Sequence, residues 1–417
     1  MMKTVSDKEK FIWNMLGSLA NALSTLVLTI CVNRILGGAS GGLFAFAYAN
    51  AQLMLTIGLF EVRPYQSTDI DEKYSFNAYF TMRIVTCCIM IASAVMYTFI
   101  SGFSTEKGII VILLVLFKSV EAFTDVFGGR FQQKDRIDLS GKLFFIRVVA
   151  STIVFIAVSY ITGSLLAASL GMFLTSFILF FIYDNRYTFK EDKEHLAFEF
   201  RPILKITIDV LPLFIGSFIL MYLGNAPKYA INNTLGDEMQ NVYSILSMPA
   251  FVINLISMFI FNPMLVKMAY LWKDRVLGKL IKYIVSIYGI IVVLTILAVG
   301  AAGILGIPVL SFVYGVNLED YTVDLLLVMF VGGLSAFMAY ANKVIAVMRQ
   351  QKFFLLSYGI AFAYALICSG WMVENFGIRG AIVGYGISVA VVVLVLNIVI
   401  VISMLKRKGD KINETFN

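Results

Sequence analysis

A single histidine, His195, occurs in 417 residues, beside only four cysteines and seven prolines. One histidine cannot form a histidine proton relay or a Cys/His metal cluster, and its polar surroundings read as a solvated loop. Cys31, Cys87, Cys88 and Cys368 all lie in apolar runs, so they read as small buried side chains and not as a disulfide framework. No G-x-x-x-x-G-K-[ST] loop is present, which excludes ATP binding of the Walker kind. Charge is scarce too, at 14% of residues against roughly 25% in an average globular protein. These deficits exclude a disordered chain, a collagen-like fibre, a coiled coil and a disulfide-stapled secreted module.

What the chain has instead is apolar bulk: 59% of residues are hydrophobic. A polytopic membrane protein follows. Crossing about 30 Å of hydrocarbon takes about 20 mostly apolar residues in a helix that satisfies its own backbone groups. Such runs lie near 11–33, 42–61, 79–101, 108–127, 143–161, 165–183, 206–226, 241–261, 281–302, 322–342, 353–372 and 380–404, twelve in all. They do not alternate every second residue, which excludes a lipid-facing barrel. The first run, Met15 to Val32, is longer than a signal-peptide core and lacks an A-x-A-like site, so it reads as a retained span.

The net charge of +7 would suggest nucleic acid as a partner of a soluble protein, but in a membrane chain it reads as orientation, with no nucleic-acid role. Lys and Arg crowd the N-terminal side of the spans: Lys8, Lys10, Arg63, Lys73, Arg130, Lys134, Arg136, Lys205, Lys273, Arg275, Arg349, Lys406 and Arg407 are among them. The other side carries Arg34, Lys107, Lys228 and Arg379. Every loop agrees with its neighbours, which supports twelve spans and places both termini in the cytoplasm.

The expected fold is therefore all-α, with twelve transmembrane helices in two pseudo-symmetric six-helix bundles. An N-terminal bundle is expected at 1–183, a cytoplasmic linker at 184–205 and a C-terminal bundle at 206–417. The repeat shows as Leu36-Gly37 and Leu235-Gly236, 199 residues apart, and as Gln132-Gln133-Lys134 and Gln350-Gln351-Lys352, 218 apart. Two such bundles suggest alternating access around a cavity between them.

Charges at membrane depth are costly and therefore informative. Lys118, Glu121 and Asp125 sit three and four apart, on one face of the fourth span; Arg83 enters the third span and Arg147 the fifth. Arg34 and Lys228 end the first and seventh spans. Each has a bland reading as an ion pair, a snorkelling cation or an interface anchor. Collectively the sign favours a cavity biased towards anions, with Glu121 and Asp125 as possible proton or sodium sites. The acid-free first span weakens any scheme in which an aspartate there exchanges a proton for a cationic drug.

Phe131-Gln132-Gln133-Lys134-Asp135-Arg136, Asn225-Ala226-Pro227-Lys228-Tyr229-Ala230-Ile231, Met248-Pro249, Phe261-Asn262-Pro263 and Gly377-Ile378-Arg379-Gly380-Ala381 follow in order along the chain. Through this set the chain resembles the polysaccharide flippases of the multidrug/oligosaccharidyl-lipid/polysaccharide (MOP) exporter superfamily. The resemblance implies a MATE-like fold in the bacterial cytoplasmic membrane and transport of undecaprenyl-diphosphate-linked repeat units for O-antigen or capsule. It also implies a cation-lined cavity, carried here onto Arg34, Arg83, Lys118, Arg147 and Lys228, with no catalytic residue, metal or cofactor. A polysaccharide polymerase and glycosyltransferases would be its working partners. An inside-negative potential of about 100 mV would favour outward movement of a diphosphate by roughly 4–5 kcal/mol. Coupling to that potential, to protons or to sodium is compatible with the sequence. The alternatives are a cation-drug antiporter of the same superfamily and, from another class, a membrane polymerase or glycosyltransferase.

Overall fold

The computed structural model describes residues 5–69, 72–184, 197–350 and 352–416. Among the described residues the chain is helical and contains no strand. His195 lies outside them. Helix starts are chosen by local chemistry. In α1 (Asp7–Leu36) the Ser6 hydroxyl accepts from the Glu9 amide, and Ser75, Ser104 and Ser164 cap α4 (Phe76–Ile100), α5 (Thr105–Gln133) and α7 (Leu165–Leu179) in the same way. Between them lie α2 (Gly38–Leu59), the short α3 (Val62–Thr68) and α6 (Ile137–Thr162). A π-helical turn, Phe180–Asp184, extends α7.

The later elements are α8 (Ile203–Lys273), α9 (Leu277–Ala301), α10 (Ile307–Tyr314), α11 (Thr322–Val347) and α12 (Lys352–Phe416). α8 breaks at Gly236 and α12 at Gly377, so each makes two crossings. Nine of the described helices meet a simple length-and-hydropathy criterion. Counting both halves of α8 and α12 and adding the charged α5 gives twelve spans.

The internal repeat is legible in backbone angles. Gly37 and Gly236, 199 residues apart, share φ near +85° with extended ψ, a conformation that only glycine enters readily. Further on, Asp135 and Arg349 have φ of 57° and 56° in matching turns, closed by Arg136 N donating to the Phe131 carbonyl and Gln350 N to that of Ile345. These turns lie 214 residues apart, as do the glycine bends at Gly163 and Gly377. The offset grows where the second repeat inserts the π-helical turn Ala302–Gly306, α10 and the 3-10 turn Glu319–Tyr321. The two Gln-Gln-Lys tripeptides, 218 apart, therefore sit about one helical turn out of register; their recurrence marks the right loops without matching equivalent positions.

The chain forms two compact units, Met1–Met221 and Tyr222–Asn417. In the first, α5 packs against α2, α3, α4, α6 and α7. Close approach is set by small residues. A Cβ on Gly58 of α2 would come within 2.9 Å of Ala122 on α5, and one on Gly141 of α6 within 2.5 Å of the Trp13 backbone on α1. Phe76, Phe80, Phe123, Phe127, Phe131 and Phe180 fill the end of this unit that carries the N-terminus. In the second unit α11 packs on α9 and α12, with Gly333 tight against Thr295. Among the four cysteines, all unpaired, Cys87 is buried and Cys88 exposed.

Candidate functional site

The polar interior of the first unit is organised by α5. Its three- and four-residue spacing places Lys118, Glu121 and Asp125 in line, and two neighbouring elements answer them. Arg63 of α3 and Arg83 of α4 converge on Asp125, with Nη1 to Oδ1 and Nη2 to Oδ2 both at 2.9 Å. Arg63 also donates to Ser140 Oγ at 3.1 Å. Arg83 is fully buried and donates a second bond to the Gly58 carbonyl, which also accepts from Thr86 Oγ1 at 2.8 Å. That carbonyl is free for side chains because α2 stops there: Phe60 and Glu61 both turn into the left-handed region, at φ 44° and 52°. Nε of Arg83 has no partner among the described residues.

One turn earlier along α5, Lys118 Nζ lies 2.7 Å from Glu121 Oε2 and 5.2 and 5.4 Å from the Tyr48 and Phe117 ring centres. Charge–quadrupole attraction to those rings replaces part of the ammonium's lost hydration. The seam thus holds three cations, Arg63, Arg83 and Lys118, against two carboxylates. Arg147, on α6, is buried with its guanidinium 5.7 Å from the Phe144 ring centre, and Arg34 is exposed in the last turn of α1.

The second unit is different in kind. Lys228 in α8 is partly buried and donates to Asn225 Oδ1 at 3.2 Å; no carboxylate among the described residues lies within ion-pair distance. Asn225 and Asn232 lie three before and four after it, on the same face of the helix, and Asn232 donates to Asp237 Oδ1 at 2.6 Å across the Gly236 break. Gln240, Asn241 and Ser244 add buried neutral polar groups further along α8. Arg379 pairs with the buried Asp324 of α11 at 3.0 Å.

The structure therefore joins Arg83 to Asp125, which Arg63 shares, and Lys118 to Glu121, so each expected cation of the third and fourth spans has a counter-ion. In the sequence Arg63 is one basic residue among several beside a span. The signal that could have found it is its place immediately after the apolar run 42–61, within a turn of membrane depth. Among the described residues no three His, Cys, Asp or Glu side chains converge as a metal site requires.

No protein-family model and no curated protein matches the chain. Solved structures do. A multidrug resistance MATE family transporter of the MOP superfamily, inward-facing, is 13% identical over 93% of this chain and 95% of its own, with a TM-score of 0.68. A MOP superfamily transporter from Pyrococcus furiosus is 14% identical over 96% and 95%, at 0.57. A Vibrio cholerae MATE transporter in its bent form is 10% identical over 96% and 97%, at 0.55. At this identity the likeness establishes the fold: a twelve-helix MATE-type architecture, as found in transporters of the MOP superfamily.

Proposed function

We propose that the protein is a transporter that moves undecaprenyl-diphosphate-linked oligosaccharide from the cytoplasmic to the outer leaflet of a bacterial plasma membrane, by alternating access and with both termini in the cytoplasm. The observation that carries this reading is Lys228: an ammonium within a membrane helix whose recorded partner is a neutral amide. Lys228 ends the seventh span, and keeping a partly buried cation there without a counter-ion costs desolvation that a site receiving an anion would offset. The α5 seam adds a positive excess, with Arg63, Arg83 and Lys118 facing Glu121 and Asp125, and Arg147 adds another buried cation. Asn225 and Asn232, on the face that carries Lys228, supply the neutral donors and acceptors that sugar hydroxyls bond.

Transport in place of catalysis is favoured by the segment from Ala302 to Tyr321, which carries two acids, Glu319 and Asp320, and no base. A polymerase or glycosyltransferase acting on a lipid diphosphate would need cations there. The fold supports other cargoes too. The Pyrococcus furiosus neighbour is described as having a binding pocket of reverse polarity that suggests a different function. Glu121, partly exposed beside Lys118, favours a second reading as a cation-drug antiporter, coupled through Glu121 or Asp125 to protons or sodium.

The test is reconstitution. Purified protein in liposomes should translocate fluorescent undecaprenyl-diphosphate oligosaccharide faster than empty liposomes, and an inside-negative potential should speed export. Translocation at the empty-liposome rate, together with extrusion of a cationic dye under a proton or sodium gradient, would establish the antiporter instead.

A further inference from the structure

The start of α8 and the residues before it are fastened to the first unit by two sets of contacts. The first is a strap. The amides of Ala197 and Glu199, two residues apart as in an extended chain, donate to Asn77 Oδ1 at 3.1 Å and Thr81 Oγ1 at 2.9 Å, which lie one turn apart on α4. Ser75 Oγ donates to the Glu199 carboxylate, and the Phe198 ring packs on Phe80. The second is a clasp on Asp209. Its Oδ2 accepts from Tyr65 Oη at 2.8 Å and Tyr74 Oη at 3.3 Å, with Lys73 Nζ at 3.5 Å. Asp69 shapes that clasp: its carboxylate accepts from the Lys73 and Tyr74 amides at 2.9 and 3.1 Å and from Tyr79 Oη at 2.7 Å. On either side of Asp209 along the helix, Ile206 is buried with the phenylalanine cluster and Phe214 stacks on Phe60 at 4.1 Å.

All these contacts lie within Met1–Met221, and the units part in mid-helix, between Met221 and Tyr222. Immediately beyond, the helix is weakened. Pro227 has no amide hydrogen, so the Leu223 carbonyl cannot receive its helical bond, and Gly224 has open space where a side chain would stand. We infer that residues 197–221 are a fixed strut of the first unit, and that the chain flexes between the units at Leu223–Pro227, inside the helix. This goes beyond the transport reading and does not depend on the cargo. If the cargo is the one proposed, Asn225 and Lys228 sit at the flexing turn, where bending re-aims them.

Hydrogen exchange followed by mass spectrometry on the full chain in lipid nanodiscs tests this without substrate. Amides of 197–214 should be protected, and those of 222–228 should exchange about tenfold faster than the helical turns on either side. Asn77→Ala with Thr81→Ala should release 197–200 while leaving α4 protected. Pro227→Ala should slow exchange across 222–228 several-fold by restoring the missing bond. Exchange at 197–209 as fast as at 222–228, or a Pro227→Ala profile identical to wild type, would overturn the inference. A failed translocation assay would leave these profiles untouched, so the two readings fail separately.

Discussion

The two units share backbone features, with the Gly37 and Gly236 breaks in equivalent places, yet α5 of the first and α8 of the second treat charge differently. In the first unit, ionisable groups on the α5 seam pair with one another: one carboxylate holds two guanidiniums and a second holds an ammonium. In the second, buried polarity along α8 is mostly amide and hydroxyl, and Lys228 has a neutral partner. A cation already bonded to a carboxylate gains little from a further anion, because that anion must compete with a partner fixed in place. On the proposed reading the comparison separates cement from contact: the seam chiefly holds helices together, and Lys228 is the cation proposed to meet the cargo.

The largest effect should come from breaking the cement. Asp125→Ala leaves Arg83 wholly buried without a counter-ion and should cost about 3–5 kcal/mol of stability, read as a fall in the thermal midpoint of the purified protein. An unchanged midpoint would show that the seam is not structural. Lys228→Gln should do the reverse. Stability should stay within about 1 kcal/mol while translocation falls about tenfold or more, the loss expected for a charge-assisted hydrogen bond to cargo. Smaller again is Lys118→Met, which strands a partly exposed Glu121 at a cost of about 1–3 kcal/mol. Adding Glu121→Leu should recover most of that loss, and a double-mutant cycle measures the coupling.

The smallest effect concerns the clasp outside the membrane. Burial pushes the Asp69 carboxyl upward, but bonds from the Tyr79 hydroxyl and the Lys73 and Tyr74 amides outweigh it and leave the group below the usual carboxylate range. A depressed carboxyl contributes stability above its unfolded value and loses it as pH falls through the folded one. Hydrogen exchange at 72–75 should therefore be flat from about pH 8 to pH 5, once corrected for intrinsic rates, and rise only below about pH 4. Asp69→Asn should abolish that acid-side rise.

Much of the architecture was legible because lipid leaves few options. Twelve apolar runs and the sidedness of Lys and Arg gave the spans, and α5 was recognisable despite Lys118, Glu121 and Asp125, whose charges take it outside a simple hydropathy criterion. Pairing was only half legible. Lys118 and Glu121 meet through a three-residue spacing that sequence displays. The bond from Arg83 to Asp125 joins two helices across 42 positions, and Arg63 arrives through α3, whose direction depends on the left-handed turn at Phe60 and Glu61. No periodicity encodes such a turn in a Phe-Glu pair. The strap was invisible for a related reason: its donors are backbone amides, which every residue but proline carries.

The central claim is that a cation with a neutral partner, Lys228, meets an anionic lipid headgroup during transport. Its most direct test is the rate at which wild type and Lys228→Gln carry fluorescent undecaprenyl-diphosphate oligosaccharide across liposomes, at matched protein stability. The account predicts clear translocation by wild type and loss of about nine-tenths of it in the variant. Equal rates in the two proteins, or a wild-type rate no greater than that of empty liposomes, would contradict it.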